Sequence, residues 1–300
     1  MVTVMHRRLG QHRFSALAIG AACLALTVAC SLHGRTDAAF TAAAAPVGAD
    51  TLAGVDWVRV AVPTAGTISA AVARPAGPRP HSVLIILHGT HGFAREYVAL
   101  ARDLAREAGV VAVAACWFAG RRGAGTQFVT PIDCPEAPPM PSTGMSLEAL
   151  ASVGALVDAA RALPGVRADR VGLFGHSRGA VAALYYALER GGASKGAEQR
   201  LRAIVLNSGA YPPELVARAA ELNVSTLLLQ GTADSPVEGG SEMTAVARAR
   251  EFEAALLEAK KVVEAEYFEA ADHNALFTNG DHRAHTIRVV ADYLRRQGFE

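Results

Sequence analysis

A serine between two glycines is the first group in this sequence that could do chemistry. Residues Gly175–Gly179 read GHSRG; they follow the apolar run VGLF and precede the alanine-rich segment AVAALYYALER. This is the glycine-x-serine-x-glycine pattern at a predicted strand-to-helix junction, where a sharp turn holds the serine hydroxyl clear of the sheet. Glycine at both flanking positions lets the strand and the helix pack closely. The pattern predicts that Ser177 is a nucleophile, and the alternative is a turn serine.

A nucleophilic serine needs a base, and the base needs an acid that orients it. Asp234 follows the apolar run STLLLQG, and His273 lies five residues after Phe268, at the end of VVEAEYF. Both would lie on loops at the edge of the sheet that carries Ser177, because parallel strands all end at that edge. We therefore predict a triad of Ser177, Asp234 and His273, with Asp272 as the less favoured acid.

A second glycine-containing loop, HGTHGF, follows the apolar run SVLIIL. A tetrahedral oxyanion needs two N–H donors. We expect one from the backbone of Arg178, which follows the nucleophile, and the other from the backbone of Thr90, with His91 as the alternative. His88, at the start of the loop, is expected to bond within its own loop.

The elements that must position these residues alternate along the chain. WVRVAVPTAGTISAAVARP predicts an antiparallel hairpin, and predicted strands and amphipathic helices then alternate to the end of the chain. Such alternation builds an α/β fold, with a mostly parallel, twisted sheet and helices on both faces. We predict about eight strands in a single domain over residues 55–300.

These motifs resemble those of the α/β-hydrolase superfamily and, within it, the dienelactone hydrolase-like family. The resemblance covers roughly residues 57–297 and is carried by LIILHGTHG, GLFGHSRGA, LLLQGTADSPV and AADHNALF. It implies the α/β-hydrolase fold, the Ser177–Asp234–His273 triad, an oxyanion hole near Thr90 and Arg178, and no metal or cofactor. The founding dienelactone hydrolases have a cysteine nucleophile where this chain has serine.

Substrate-binding residues are harder to predict. Phe93, Trp117, Phe118 and Phe277 follow predicted strands at the catalytic edge and are candidates for the wall of an acyl or aryl pocket. The Pro- and Gly-rich segment over residues 119–144 is a long loop that could cover part of the site.

The N-terminus predicts export. A basic head precedes the apolar segment FSALAIGAACLALTVAC, which is shorter than the ~20 residues of a membrane span. Its end, LTVAC, resembles a lipobox, which implies a signal peptide over residues 1–29 and a lipid on Cys30, followed by a flexible tether over residues 30–54. Plain secretion and an uncleaved anchor are the alternatives. The expected location is the bacterial cell envelope, or else the periplasm or medium.

Cysteine usage and net charge limit the remaining possibilities. Cys116 and Cys134, 18 positions apart, are a plausible disulfide in an oxidising compartment, and neither is spaced for a metal site. Without residues 1–29 the chain has 26 basic and 28 acidic residues, so nucleic acid is not an expected partner. The oligomeric state stays open.

Together these features favour a cofactor-independent serine hydrolase that cleaves small carboxylic esters and contacts the membrane only through its lipid. The alternatives are a peptidase of the prolyl oligopeptidase type, or a non-catalytic envelope-binding module on the same fold.

Overall fold

One mixed sheet forms the centre of the protein. The computed structural model describes residues 39–49, 52–62, 66–78, 80–120, 127–140, 145–190 and 201–299. Within these ranges nine strands are present: β1 Phe40–Ala42, β2 Asp56–Val62, β3 Gly66–Ala73, β4 His81–Leu87, β5 Val111–Ala115, β6 Val166–His176, β7 Ala203–Asn207, β8 Ser225–Gly231 and β9 Val263–Phe268. Their order across the sheet is β1-β2-β3-β5-β4-β6-β7-β8-β9. The pairs from β1 to β5 by way of β3 are antiparallel, and all pairs from β5 to β9 are parallel.

Helices pack against both faces of this sheet. In the described residues they are α1 Arg95–Ala108, α2 Leu147–Arg161, α3 Arg178–Arg190, α4 Pro213–Val216, α5 Val246–Glu258, α6 Ala275–Thr278 and α7 Gly280–Arg296. Strands β4, β5 and β7 are buried at every position, as expected of a parallel sheet that is covered on both sides. None of the described helices has the length and apolar character needed to span a bilayer.

Local sequence accounts for the ends of several helices. Helix α1 stops at Gly109, which adopts the left-handed conformation with φ 68°. Helix α2 begins after Ser146, whose hydroxyl accepts a hydrogen bond from the Ala149 amide. Helix α7 begins after Asn279, whose side chain accepts from two backbone amides in the first turn.

The predicted fold class is confirmed, with two local differences. Phe40–Ala42 forms the edge strand β1, whereas we expected a flexible tether over residues 30–54, so that prediction is wrong for these residues. Backbone pairing of Phe40 with Val60 and packing of Phe40 against the core order this segment, and three residues are too few to show a strand period. The segment PPELVARAAEL is one of the helices that the alternating pattern predicts, but it forms only the short α4 and a 3₁₀ turn at Ala219–Glu221. The signal peptide and Cys30 lie outside the described residues.

The carboxyl ends of the parallel strands meet at one edge of the sheet. The loops that follow β4, β6, β8 and β9 at this edge contain HGTHG, Ser177, Asp234 and His273. The fold therefore brings together residues that are far apart in the sequence, as ligand sites of parallel sheets generally require.

Candidate active site

Ser177 lies in a strained turn between β6 and α3. Its φ is +53°, in the left-handed region that a non-glycine residue rarely adopts. Close packing imposes this turn: a Cβ on Gly175 would lie 2.2 Å from the Gly179 backbone, and one on Gly179 would lie 2.1 Å from the Leu87 carbonyl oxygen. The Ser177 amide donates to the carbonyl oxygen of Asn207 on the neighbouring β7 at 2.9 Å. The two flanking glycines are thus required by sterics, as the motif predicts.

The structure brings Ser177, His273 and Asp234 into one hydrogen-bonded chain. His273 Nε2 is 2.9 Å from Ser177 Oγ, and His273 Nδ1 is 2.8 Å from Asp234 Oδ2. A carboxylate only accepts, so the His273 Nδ1–H donates to Asp234 and Nε2 is left to accept from the serine hydroxyl. Asp272, the alternative acid, instead accepts a hydrogen bond from the Asn274 amide at 2.8 Å.

Two further side chains, which the sequence motifs do not reveal, orient Asp234. Gln230 Nε2 donates to Asp234 Oδ2 at 2.7 Å and to the Thr244 carbonyl oxygen at 2.6 Å. The Thr244 hydroxyl donates to Asp234 Oδ1 at 2.7 Å while accepting from the Ser241 amide at 2.7 Å. Gln230 ends the β8 pattern and Thr244 lies ten residues past the acid, so no motif marks either residue. The Asp234 carboxylate is buried and fully oriented by its neighbours.

The HGTHG loop lies against the nucleophile. The Gly92 amide donates to the Gly89 carbonyl oxygen at 3.0 Å, which closes a tight turn around Thr90. A Cβ on Gly89 would come within 3.2 Å of Ser177 Cβ, which is tighter than most such contacts, so glycine eases the close approach of the loop. Arg178 is the first residue of α3, and its amide therefore lies at the positive end of that helix dipole. Arg178 is thus adjacent to the serine in the chain, and Gly89, which precedes Thr90, lies against it in space.

Phe93, Trp117 and Phe118 are packed around His88 in the core. Trp117 and Phe118 are 0% and 1% exposed and Phe93 is 3% exposed, so they offer no surface to a ligand. The Trp117 Nε1–H donates to the His88 carbonyl oxygen at 3.1 Å, and the Phe118 ring centroid lies 4.6 Å from that of His88. The prediction that these three aromatic residues line a pocket is therefore wrong, because strand ends at this edge also pack into the core.

His88 is confirmed as a residue that bonds within its own loop. Its Nδ1 lies 2.9 Å from the Gly89 carbonyl oxygen. Complete burial lowers the pKa of His88 to about 3, so the ring is neutral at physiological pH.

Phe277, the fourth predicted pocket residue, is half-buried beside the triad. Its ring contacts His176 at 4.9 Å and His91 at 5.5 Å between centroids, and it stacks near Phe128 at 6.1 Å. The His176 ring lies 5.4 Å from that of His273. Phe128, from the long loop, was not predicted, because loops of this kind have no period that reveals which side chains turn inward. We call Phe128 and Phe277 the aromatic wall.

His176 is a buried neutral side chain below this wall. Its Nδ1 lies 2.8 Å from the amide oxygen of Asn207, so Nδ1 carries the proton. Burial, and next the neighbouring His273, lower the pKa of His176 well below its ordinary value. This residue supports the site by packing.

A disulfide joins Cys116, directly after β5, to Cys134 on the long loop. The same loop is fastened by backbone hydrogen bonds from Arg95 to Thr130, at 2.9 Å, and from Ile132 to Phe93, at 3.0 Å. Covalent and backbone bonds thus hold the loop that carries Phe128. Over the part of the chain that the structure describes, no three His, Cys, Asp or Glu side chains cluster as metal ligands would.

A serine, a histidine and an aspartate that are joined by two hydrogen bonds at the carboxyl edge of a mostly parallel sheet define the α/β-hydrolase class. Comparison with known families then shows that the chain belongs to the dienelactone hydrolase family, whose model matches residues 68–293. The protein is accordingly a member of a family of hydrolases. Comparison with curated proteins gives no match.

Solved structures share the fold of this chain but little of its sequence. A Klebsiella pneumoniae protein assigned to the dienelactone hydrolases has 21% identity and a TM-score of 0.59, covering 82% of this chain and 98% of its own. A dienelactone hydrolase-like promiscuous phosphotriesterase from metagenomic libraries has 16% identity and a TM-score of 0.60, with 81% and 98% covered. An esterase from Thermogutta terrifontis has 16% identity and a TM-score of 0.58, with 82% and 96% covered. At these identities the likeness establishes the fold.

Proposed function

We propose that the protein is a serine hydrolase that cleaves carboxylic esters of small molecules through an acyl-enzyme intermediate. The observation that carries the proposal is the chain of hydrogen bonds from Ser177 Oγ through His273 to Asp234, at 2.9 and 2.8 Å. The acceptor nitrogen of His273 faces the serine hydroxyl, which is the arrangement that a general base requires.

Acylation begins when Ser177 Oγ attacks the ester carbonyl carbon and its proton passes to His273 Nε2. The carbonyl oxygen becomes an oxyanion, which the amides of Thr90 and Arg178 would bind. Each such donor contributes a factor of roughly 10² to 10³ in rate. The intermediate then expels the alcohol, which takes the proton from His273 Nε2, and the acyl group remains on Ser177.

Deacylation repeats these steps with water. His273 Nε2 takes a proton from the attacking water, the second intermediate collapses, and the proton returns to Ser177 Oγ as the carboxylic acid leaves. Throughout, Asp234 holds the imidazole in one tautomer and stabilises the positive charge that forms on it. Gln230 and Thr244 keep that carboxylate in place.

The direct test is hydrolysis of p-nitrophenyl esters from acetate to palmitate by wild type and by Ser177→Ala. We expect kcat of the variant to fall by roughly 10⁴-fold or more, because the nucleophile is lost while the fold remains. Labelling with a fluorophosphonate probe, followed by peptide mapping, should place the adduct on Ser177.

A matched control is Ser208→Ala. Ser208 is also a buried serine with positive φ, +48°, at the end of the neighbouring β7. This variant should keep both activity and labelling. Folded wild-type protein without any Ser177 adduct would favour a non-catalytic binding module, and cleavage of peptide amides in preference to esters would favour the peptidase.

We further propose that the protein is exported and that Cys30 bears a lipid. The Cys116–Cys134 disulfide supports this location, because such bonds persist in oxidising compartments. Metabolic labelling with palmitate in a bacterial host should mark wild type and not Cys30→Ala, and unlabelled wild type would contradict the anchor.

A further inference from the structure

Tyr97 lies in the first turn of α1, is completely buried, and points its hydroxyl back to the HGTHG loop. Its hydroxyl oxygen is 2.9 Å from the Gly89 amide nitrogen and 2.8 Å from His91 Nε2. The rings of Tyr97 and His91 also stack, with centroids 5.5 Å apart and planes 19° apart. One hydroxyl therefore contacts the residue before Thr90 and the residue after it.

The direction of both bonds follows from the donors available. The Gly89 amide can only donate, so the Tyr97 oxygen accepts that bond. Donation of the phenolic proton to an unprotonated His91 Nε2 also satisfies the donor of this buried hydroxyl, which favours the His91 tautomer with its proton on Nδ1. Burial, and next the nearby His273, lower the pKa of His91 to about 4, so a neutral ring is its normal state. Burial raises the pKa of Tyr97 well above its ordinary value, so the phenol keeps its proton.

The consequence of this pair of bonds falls on Thr90. The Tyr97 hydroxyl holds the Gly89 amide, one residue before Thr90, and the His91 side chain, one residue after it. The peptide plane that contains the Thr90 amide also contains the Gly89 carbonyl oxygen, which accepts from the Gly92 amide at 3.0 Å and so closes the turn. An oxyanion donor must be aimed in advance at the position of the developing charge, because reorganisation during the reaction costs rate.

We infer that Tyr97 is a positioning residue, whose hydroxyl, bound to Gly89 and His91, holds the Thr90 amide in the orientation that binds the oxyanion. This inference rests on the proposed function. It adds a residue that no motif marked, since in the sequence Tyr97 is one apolar position on the buried face of a helix. Tyr97 touches no reacting atom and acts only through the loop.

The test compares Tyr97→Phe with wild type in p-nitrophenyl acetate hydrolysis. We expect kcat to fall by roughly 10- to 100-fold, with KM within about three-fold, because the interaction is made only in the transition state. Inhibition by a phenylboronic acid, which forms a tetrahedral adduct with the serine, should weaken in parallel with kcat. A role in stability alone would lower the melting temperature and leave kcat and boronate affinity unchanged.

Tyr293→Phe is the matched control. Tyr293 is likewise fully buried, and its hydroxyl donates to Ser225 Oγ at 3.0 Å, at the opposite edge of the sheet. It should lose stability without the loss in kcat. Equal falls in kcat for the two variants, or a Tyr97→Phe enzyme within two-fold of wild type in kcat and boronate affinity, would overturn the inference.

Variants of His91 provide a second test of the same hydrogen-bond network. His91→Phe removes the acceptor and should lower kcat about as much as Tyr97→Phe, and the double variant should lose little more, since both changes break one network. His91→Gln, whose amide oxygen can accept the same bond, should recover part of the loss, and no recovery together with additive losses would contradict the network. Absence of esterase activity and of Ser177 labelling in wild type would instead refute the proposed function itself.

Discussion

Asp234 and Phe128 lie on two loops at the same edge of the sheet, and the protein holds them by different means. The Asp234 carboxylate receives hydrogen bonds from His273, Gln230 and Thr244, all between 2.7 and 2.8 Å. The Phe128 ring is held by ring contacts, 5.1 Å from His91 between centroids, and its loop is fastened by the disulfide.

The difference separates two requirements of an enzyme site. Hydrogen bonds are directional and lose strength steeply as the donor–hydrogen–acceptor angle departs from linear, so three of them fix the carboxylate in one orientation. Apolar ring contacts depend mainly on the area removed from water and tolerate small shifts. We therefore expect changes at Asp234 to affect every substrate, and changes at the aromatic wall to affect only substrates that reach it.

The largest effect is expected from Asp234→Asn. The asparagine keeps the shape of the acid but removes its charge and favours the wrong histidine tautomer, so kcat should fall by roughly 10⁴-fold for all esters with little change in KM. Steady-state kinetics on acetate and butyrate esters provide the measurement.

Glu238→Gln is the control for this change. Glu238 is an exposed acid on the same loop, and its neutralisation should leave kcat unchanged. A kcat of Asp234→Asn within ten-fold of the wild-type value would contradict the distinction between the two loops. Catalysis would then be no more sensitive to a change at Asp234 than to one at the aromatic wall.

A smaller effect, mainly on stability, is expected when Cys116 and Cys134 are both changed to alanine. The disulfide closes a loop with a sequence separation of 18. Loss of such a constraint on the unfolded chain lowers the free energy of unfolding by about 3 kcal/mol. Urea unfolding measures it, and kcat on p-nitrophenyl acetate should stay within about three-fold, because no triad residue lies on this loop.

Reduced wild-type protein is the control for the packing of the two sulfur atoms, since it lacks only the bond. Unchanged stability on reduction would show that two backbone hydrogen bonds hold the loop without the disulfide. These are the bonds from the Arg95 amide to Thr130 and from the Ile132 amide to Phe93. If the loss of acetate hydrolysis matched that of Asp234→Asn, the loop would position the triad. That result would contradict the expectation that this loop affects only stability and substrate choice.

The same contrast explains what the sequence could predict. Ser177, Asp234 and His273 each follow a strand with a clear apolar pattern, and the geometry of a parallel sheet then brings their loops to one edge.

The side chains that turn inward from a loop follow no period. Phe128 was therefore not predicted, and Phe93, Trp117 and Phe118, which pack around His88, were wrongly predicted to line the pocket. Gln230, Thr244 and Tyr97 act through side-chain hydrogen bonds that form only in the folded chain, and no local pattern encodes such bonds.

The smallest effect is expected at the aromatic wall itself, from Phe128→Ala. Phe128 and Phe277 are half-buried, and Phe277 packs against His176, whose ring lies 5.4 Å from that of His273. Removing one ring should lower kcat/KM for phenylacetate esters by roughly three- to ten-fold, as for the loss of a few methylene contacts in an apolar pocket.

The acetate ester is the internal control, because its acyl group is too short to gain from the wall, and its kcat/KM should change less than two-fold. The ratio of the two values isolates selectivity from any general loss of activity. Equal falls for both esters would show that Phe128 supports the reacting groups through His91, and the wall would then belong to the same rigid network as Asp234.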